Sequence, residues 1–182
     1  MSRYARINST LWTSSKKWLL LGADNEARLM YLYLHTCSHM QPTGCCVLRL
    51  GYAAGDLRWS IAQCEHSLDT VVTQGLVVRD ADLDVIFLTG FMANDPPRNT
   101  SQVEGWLKGL EDIEDCNPKR MCLLELRDLL EGLTGPIKAQ SRHSLDTVLA
   151  LCGTQCAAPT PAPTQELLKG EKPESFSPPP TS

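Results

Sequence analysis

Between residues 24 and 39, apolar side chains recur every three or four positions, with polar side chains between them. This spacing is typical of an amphipathic helix that packs one face on a core. Asp24 precedes the first turn and can cap the helix, because a side-chain oxygen there accepts hydrogen bonds from free backbone N–H groups. We therefore predict a helix ending near His39, with the core stripe Ala27, Met30, Tyr31, Leu34 and Cys37.

The next segment, residues 44–91, alternates between strand and helix patterns. Residues 44–50 (GCCVLRL) predict a short strand, and residues 51–59 (GYAAGDLRW) predict a short helix and turn. Residues 60–75 predict an amphipathic helix, which begins at a capping box and ends at a glycine. Residues 76–79 and 84–89 predict two strands joined by an acidic turn. This order predicts a mainly α fold with a small antiparallel β wing, the winged helix-turn-helix.

The helix at 60–75 carries the most specific local signals. Ser60 and Gln63 have the spacing of a capping box, and Gly75 has the position of a left-handed C-terminal glycine. Its predicted core stripe is Ile61, Cys64, Leu68, Val71 and Val72.

A second pair of helices is predicted after a linker at 94–99. The first has an apolar stripe from Val103 to Ile113, and the second begins at Asn117-Pro118 and continues to about Leu133. We predict three regions: a winged helix-turn-helix domain at 1–95, an acidic helical pair at 96–134 packed on it or following it, and a low-complexity, largely disordered tail at 135–182. Two smaller predictions are an edge strand at Arg3–Ile7 and a short helix near Ser141–Leu151.

Charge divides the chain into unlike parts. The net charge is −4, yet residues 1–60 carry seven Lys/Arg against three acids, and residues 101–133 carry four against eight. A basic front and an acidic rear fit phosphate contact on one side and protein contact on the other. The chain lacks the pattern of a signal peptide and any apolar run of membrane-spanning length, so we expect a cytoplasmic protein without a membrane partner.

The eight cysteines include no C-x-x-C pair, which structural zinc sites normally use. His35 and His39 lie at i, i+4 beside Cys37 and are the best metal candidates, but core thiols and surface histidines explain the pattern better. No Cys–His, Ser–His or phosphate-cradling glycine motif can be assembled. We expect no metal, no cofactor and no enzymatic activity.

The face opposite the stripe of helix 60–75 is polar and compact, as a helix in the DNA major groove requires. Its amide and hydroxyl side chains can bond base edges, and arginines nearby can contact phosphates. Glu65 and Asp69 on one flank could read cytosine or repel phosphate, and the turn Asp80–Asp84 is too acidic for the minor groove. The residues predicted to bind DNA are Arg49, Arg58, Ser60, Gln63, His66, Thr70, Thr73 and Arg79.

One six-residue sequence, His-Ser-Leu-Asp-Thr-Val, occurs at 66–71 and again at 143–148. The second copy could mimic the first and dock in its place, giving autoinhibition. A local duplication or drift in the tail is the simpler explanation, and we favour it because a motif without structural context is weak support.

Several segments together resemble one bacteriophage and prophage family. RYARI, Trp12, RLMYLYL, the block at 44–91 and NDPPRNTSQVEGW are similar to the winged-helix N-terminal modules of phage helix-turn-helix and replication-initiation (replisome organiser) proteins. The resemblance covers roughly residues 3–133. It implies DNA binding at an origin or operator, recognition by the helix holding Gln63, His66 and Thr70, and recruitment of helicase-loading partners by later segments.

The leading hypothesis is a sequence-specific double-stranded DNA-binding protein that acts in replication initiation or transcription regulation inside a bacterial host cell. A homodimer through the leucines at 126, 129, 130 and 133 is one option, although packing of this face on the Val103–Ile113 stripe is favoured. The alternative is a non-enzymatic interaction protein whose winged helix and acidic patches at 80–84 and 111–115 bind and inhibit a host protein complex.

Overall fold

The computed structural model describes residues 7, 18, 20–22, 24–132 and 145–150. This part of the chain is mainly helical with a small three-stranded antiparallel sheet, which confirms the predicted mainly α composition. In chain order, the elements are α1 (Asn25–Thr36), β1 (Cys45–Val47), α2 (Leu50–Leu57), α3 (Ile61–Thr73), β2 (Val77–Asp80), β3 (Val85–Leu88), a short 3-10 helix (Met92–Asn94), α4 (Thr100–Glu111) and α5 (Asn117–Gly132). None of the described helices combines the length and the hydropathy needed to cross a membrane.

The sheet has the order β1-β3-β2, with β3 paired antiparallel to both neighbours. β1 is shorter than the predicted strand, because Leu50 already begins α2. The predicted hairpin is confirmed. Its turn is closed by the Asp80 carboxylate, which accepts hydrogen bonds from the backbone N–H groups of Asp82 and Leu83, both at 3.2 Å.

Each face of the sheet supports its own hydrophobic core. Alternate residues of a strand point to opposite faces, so Cys46 and Ile86 belong to one core while Cys45 and Phe87 belong to the other. The opposite orientation predicted for Cys45 and Cys46 is therefore confirmed. Helices α1, α2 and α3 cover the first face, and α4 and α5 cover the second. β3 is buried along its whole length as a result.

Helix α5 is attached to the sheet by polar as well as apolar contacts. The Glu125 carboxylate accepts a hydrogen bond from the backbone N–H of Gly90, just after β3, at 2.7 Å. Leu126 and Leu130 are buried, and Leu129 packs partly buried against the same core as Leu107 of α4. Within the described residues, the leucine face thus lies inside the protomer, as the favoured packing interpretation expected. Leu133, the last residue of that predicted face, lies outside the described residues.

The start of α3 confirms one prediction and corrects another. The capping box is present, since Gln63 N–H donates to the Ser60 Oγ and Ser60 N–H donates to the Gln63 Oε1. Gly75 has φ +69°, as expected for a left-handed helix end. Ile61, however, was predicted in the core stripe and is 61% exposed. It lies in the first turn of α3, one turn before the buried Cys64, and extends past the edge of the core.

Residues 145–148 of the second copy of the repeated sequence belong to the described segment 145–150, which is helical, in agreement with the short helix predicted near Ser141–Leu151. Residues 143 and 144 lie outside the described residues. Leu145 of the second copy is buried in the core of α4 and α5, whereas the equivalent Leu68 is buried in the core of α1–α3. The two copies therefore dock on opposite faces of the sheet. The autoinhibition interpretation, in which the second copy takes the place of the first, is wrong. The predicted edge strand at 3–7, except Ile7 itself, and the tail from 151 lie outside the described residues.

Candidate nucleic-acid interface

The turn between α2 and α3 sets the orientation of the candidate interface. Arg58 ends α2 in the left-handed region with φ 56°, and its backbone N–H donates to the carbonyl of Ala54. Trp59 N–H donates to the same carbonyl at 3.0 Å, and Ser60 then caps α3. This tight turn lets α3 bury Cys64, Leu68 and Val71 while its other side faces outward.

The structure brings the predicted base-contacting side chains of α3 together. Gln63, His66, Thr70 and Thr73 follow one another at helical spacing, and all but the partly buried Thr70 are exposed. The Thr70 hydroxyl donates to the carbonyl of His66 at 3.1 Å, and Ser60 is exposed at the beginning of the row. We name Gln63, His66, Thr70 and Thr73 the outer row of α3.

The Gln63 side chain makes more hydrogen bonds than its sequence position indicated. Its Oε1 accepts the Ser60 backbone N–H at 3.1 Å, and its Nε2 donates to a Glu26 carboxylate oxygen at 3.4 Å. Both ends of the amide therefore have partners. A bidentate contact with adenine uses both ends of the amide in one orientation, so the capping box and the contact with α1 compete with base contact by Gln63.

The two arginines flanking α2 differ from Gln63 in having free side chains. Arg49 precedes the first turn of α2 and Arg58 follows its last turn. Both are exposed, and neither guanidinium makes a hydrogen bond or ion pair with another described residue. The helix between them, α2, is about 12 Å long. Both groups are available for phosphate contacts, which require an accessible charge.

Arg79 lies in a different environment. Its guanidinium contacts Glu65 at 2.7 and 3.3 Å and Asp69 at 3.4 Å, and its side chain is only 12% exposed. The guanidinium that was predicted to contact phosphate is thus already paired with two carboxylates of α3. Strand alternation could have indicated this arrangement, because it places Arg79 on the same face of β2 as Val77, which packs in the core of α1–α3.

Two aromatic contacts next to α2 were missed by the sequence reasoning. The Tyr33 hydroxyl donates to Asp56 at 2.9 Å and links α1 to α2. Burial, assisted by this hydrogen bond, raises the pKa of Tyr33 well above its ordinary value. Tyr52 is 51% exposed and stacks on His39, with ring centroids 4.8 Å apart. Tyr52 thus adds a solvent-facing aromatic surface beside Arg49.

The histidines considered for a metal have separate aromatic neighbours. The His35 ring contacts Tyr31 and Phe91, with centroids 4.6 and 5.3 Å away, while His39 contacts Tyr52. The part of the chain that the structure describes contains no group of three or more His, Cys, Asp or Glu arranged to hold a metal ion.

Buried thiols make up much of the cysteine content. Cys45 hydrogen-bonds the thiol of Cys122, which together with burial raises the pKa of Cys45. Burial also raises the pKa of Cys46. Both thiols are therefore held in the protonated form, in which they pack as small apolar groups.

Comparison with models of protein families, with curated proteins and with solved structures finds no match for this chain. The geometry described above is consequently the basis for a functional argument.

Proposed function

We propose that residues 1–95 form a winged helix-turn-helix module that binds double-stranded DNA, with α3 as the recognition helix in the major groove. The protein would act in replication initiation or transcription regulation of a phage or prophage, in the cytoplasm of its bacterial host. Helices α4 and α5 would stiffen the module from the other side of the sheet and present an acidic surface to protein partners.

The order and pairing of the elements support the module. A helix, a strand, two helices joined by a tight turn, and a hairpin follow one another, and the strands have the order β1-β3-β2. In such an arrangement the second helix of the pair packs one face on the core and turns the other outward to enter the major groove, and the hairpin is the wing.

The observation that carries the proposal is the outer row of α3 together with two accessible arginines at the two ends of α2, the helix that precedes it. His66 and Thr73 are exposed and can hydrogen-bond base edges, and Thr70 can contact a thymine methyl group. Arg49 and Arg58 have free guanidinium groups that can bind phosphate.

The test is fluorescence anisotropy of a random-sequence duplex across a salt series. We expect micromolar affinity that falls steeply with salt, because each phosphate contact releases counterions. The double variant Arg49→Ala/Arg58→Ala should bind more weakly, with the salt slope reduced by about two. The charge-matched control Arg98→Ala/Arg127→Ala removes arginines already paired with Asp95 and Asp128, and it should bind like the wild type. Absence of binding at low salt contradicts the proposal.

The hairpin favours a second candidate, an interaction protein that binds and inhibits a host protein complex. Its turn carries Asp80, Asp82 and Asp84, and such a surface repels phosphate and can imitate it. This candidate predicts no duplex binding and a protein partner in pull-downs with the full chain. Capture of that partner should be lost in Asp82→Asn/Asp84→Asn and kept in Arg49→Ala/Arg58→Ala. Asp80 is left intact because it closes the turn.

A further inference from the structure

We propose that Arg79 is a positioning residue for DNA binding, which partly neutralises the two acids of α3 and anchors the hairpin to that helix without itself contacting phosphate. This inference rests on the proposed function and adds to it. It gives Arg79 a different role from the phosphate contact expected from the sequence.

The hydrogen bonds of the Arg79 guanidinium go to two carboxylates of α3. One guanidinium nitrogen lies 2.7 Å from a Glu65 oxygen and 3.4 Å from Asp69, and the second lies 3.3 Å from the other Glu65 oxygen. A guanidinium that meets a carboxylate through two nitrogens is held both in position and in orientation. To reach a phosphate, Arg79 would have to leave all three contacts.

The charges of α3 explain why these ion pairs would affect DNA binding. The helix contains Glu65 and Asp69 and no lysine or arginine, and both acids remain partly exposed, with 43% and 62% of their side chains accessible. Double-stranded DNA carries one negative charge per about 1.7 Å of its axis. Two uncompensated carboxylates on the helix would therefore oppose its entry into the groove. Glu65 and Asp69 alone carry a charge of −2, and together with Arg79 the three side chains carry −1.

The pairing also joins two elements that are distant in sequence. Arg79 lies on β2, opposite Ile86 of β3, and its carboxylate partners lie one turn apart on α3. The ion pairs therefore hold the hairpin against the helix. A fixed hairpin keeps its acidic turn in one place relative to α3, where a free hairpin could move those carboxylates toward the DNA.

The decisive experiment compares duplex affinity of the wild type, Arg79→Ala and the triple variant Arg79→Ala/Glu65→Gln/Asp69→Asn across a salt series. We expect Arg79→Ala to bind about ten-fold more weakly, since it exposes two like charges to the phosphates. The triple variant should regain wild-type affinity to within about three-fold, with an unchanged salt slope. Arg127→Ala, which removes one positive charge on the other face of the sheet, is the matched control and should have no effect.

Two results would overturn the inference. If Arg79 contacts phosphate, the triple variant stays as weak as Arg79→Ala, and the salt slope of both is smaller by about one. If Arg79→Ala binds like the wild type, the acids need no neutralisation. Thermal melts of each variant show whether it is folded, and Arg79→Lys, which keeps the charge, should retain most of the affinity even where Arg79→Ala is unstable.

The same measurements separate this inference from the proposed function. A wild-type protein that does not bind duplex at low salt overturns both. A wild-type protein that binds, with a triple variant that fails to recover, overturns only the role of Arg79.

Discussion

Removal of the Leu126 side chain beyond Cβ tests whether α5 is an integral part of the fold. Leu126 is fully buried in the core that the sheet shares with α4 and α5. Leu126→Ala deletes three buried carbons, a loss of about 2.4 kcal/mol in transfer free energy, and the cavity left behind brings the cost to about 3 kcal/mol. For a domain of this size we expect a fall in the midpoint of thermal unfolding of roughly 10 °C.

Circular dichroism melts measure that shift, and size-exclusion chromatography measures the oligomeric state. Leu129→Ala is the control, because Leu129 is only partly buried and the same truncation should have a smaller effect. A destabilised protein of unchanged oligomeric state agrees with the packing described here. If Leu126→Ala leaves the midpoint within about 1 °C of the wild type, a change smaller than any buried leucine should give, α5 does not pack on the sheet.

Three further predictions concern local features. Ser60→Ala should lower the free energy of unfolding by about 1 kcal/mol through loss of the capping box, whereas Ser60→Asp should retain it. Gly75→Ala should cost about 1–2 kcal/mol because φ is +69°, while Gly105→Ala in α4, where nothing obstructs a Cβ and φ is not positive, should stabilise. Burial raises the pKa of Tyr31 to about 12, so absorbance titration should show late ionisation.

The outcomes that contradict these predictions are specific. Equal urea midpoints for the wild type and Ser60→Ala would mean that the cap does not stabilise α3. Destabilisation of similar size by Gly75→Ala and Gly105→Ala would contradict a conformational cause. Burial of the neutral Tyr31 hydroxyl makes a contribution to folding stability that is fully present below pH 10, where the tyrosine is neutral in the folded and unfolded chains. This contribution is lost as pH rises toward 12. Titration of every tyrosine near pH 10 in the folded protein contradicts the burial.

Local interactions account for the parts of the fold that the sequence predicted well. The Asp24 cap of α1, the capping box of α3 and the left-handed Gly75 all depend on side chains and backbone within a few residues of each other. Such features are readable because their energetics do not depend on the rest of the molecule. The exposure of Ile61 is the exception, since helical spacing cannot show where the core ends.

The candidate site was predicted less completely, for a related reason. Helical periodicity correctly grouped the outer row of α3 on one side. It could not show that Glu26, 37 residues away from Gln63 in the chain, would accept a hydrogen bond from the Gln63 amide. Nor could it show that Glu65 and Asp69 would hold Arg79. Side-chain pairing across elements depends on how they are packed, and that information is not contained in any one segment.

The sequence by itself determined the order of the helices and strands, the caps of α1 and α3 and the polar character of α3, because these follow from hydrophobic periodicity and short-range hydrogen bonds. It placed the end of α1 near His39, whereas the helix ends at Thr36. Only the tertiary structure decided that α4 and α5 bury the second face of the sheet and that the repeated segment packs opposite α3. It also decided that Arg79 pairs with Glu65 and Asp69 of α3. Apolar burial is non-directional, so a hydrophobic stripe specifies that a face is covered but not by what. The covering element is chosen by the packing of the whole chain.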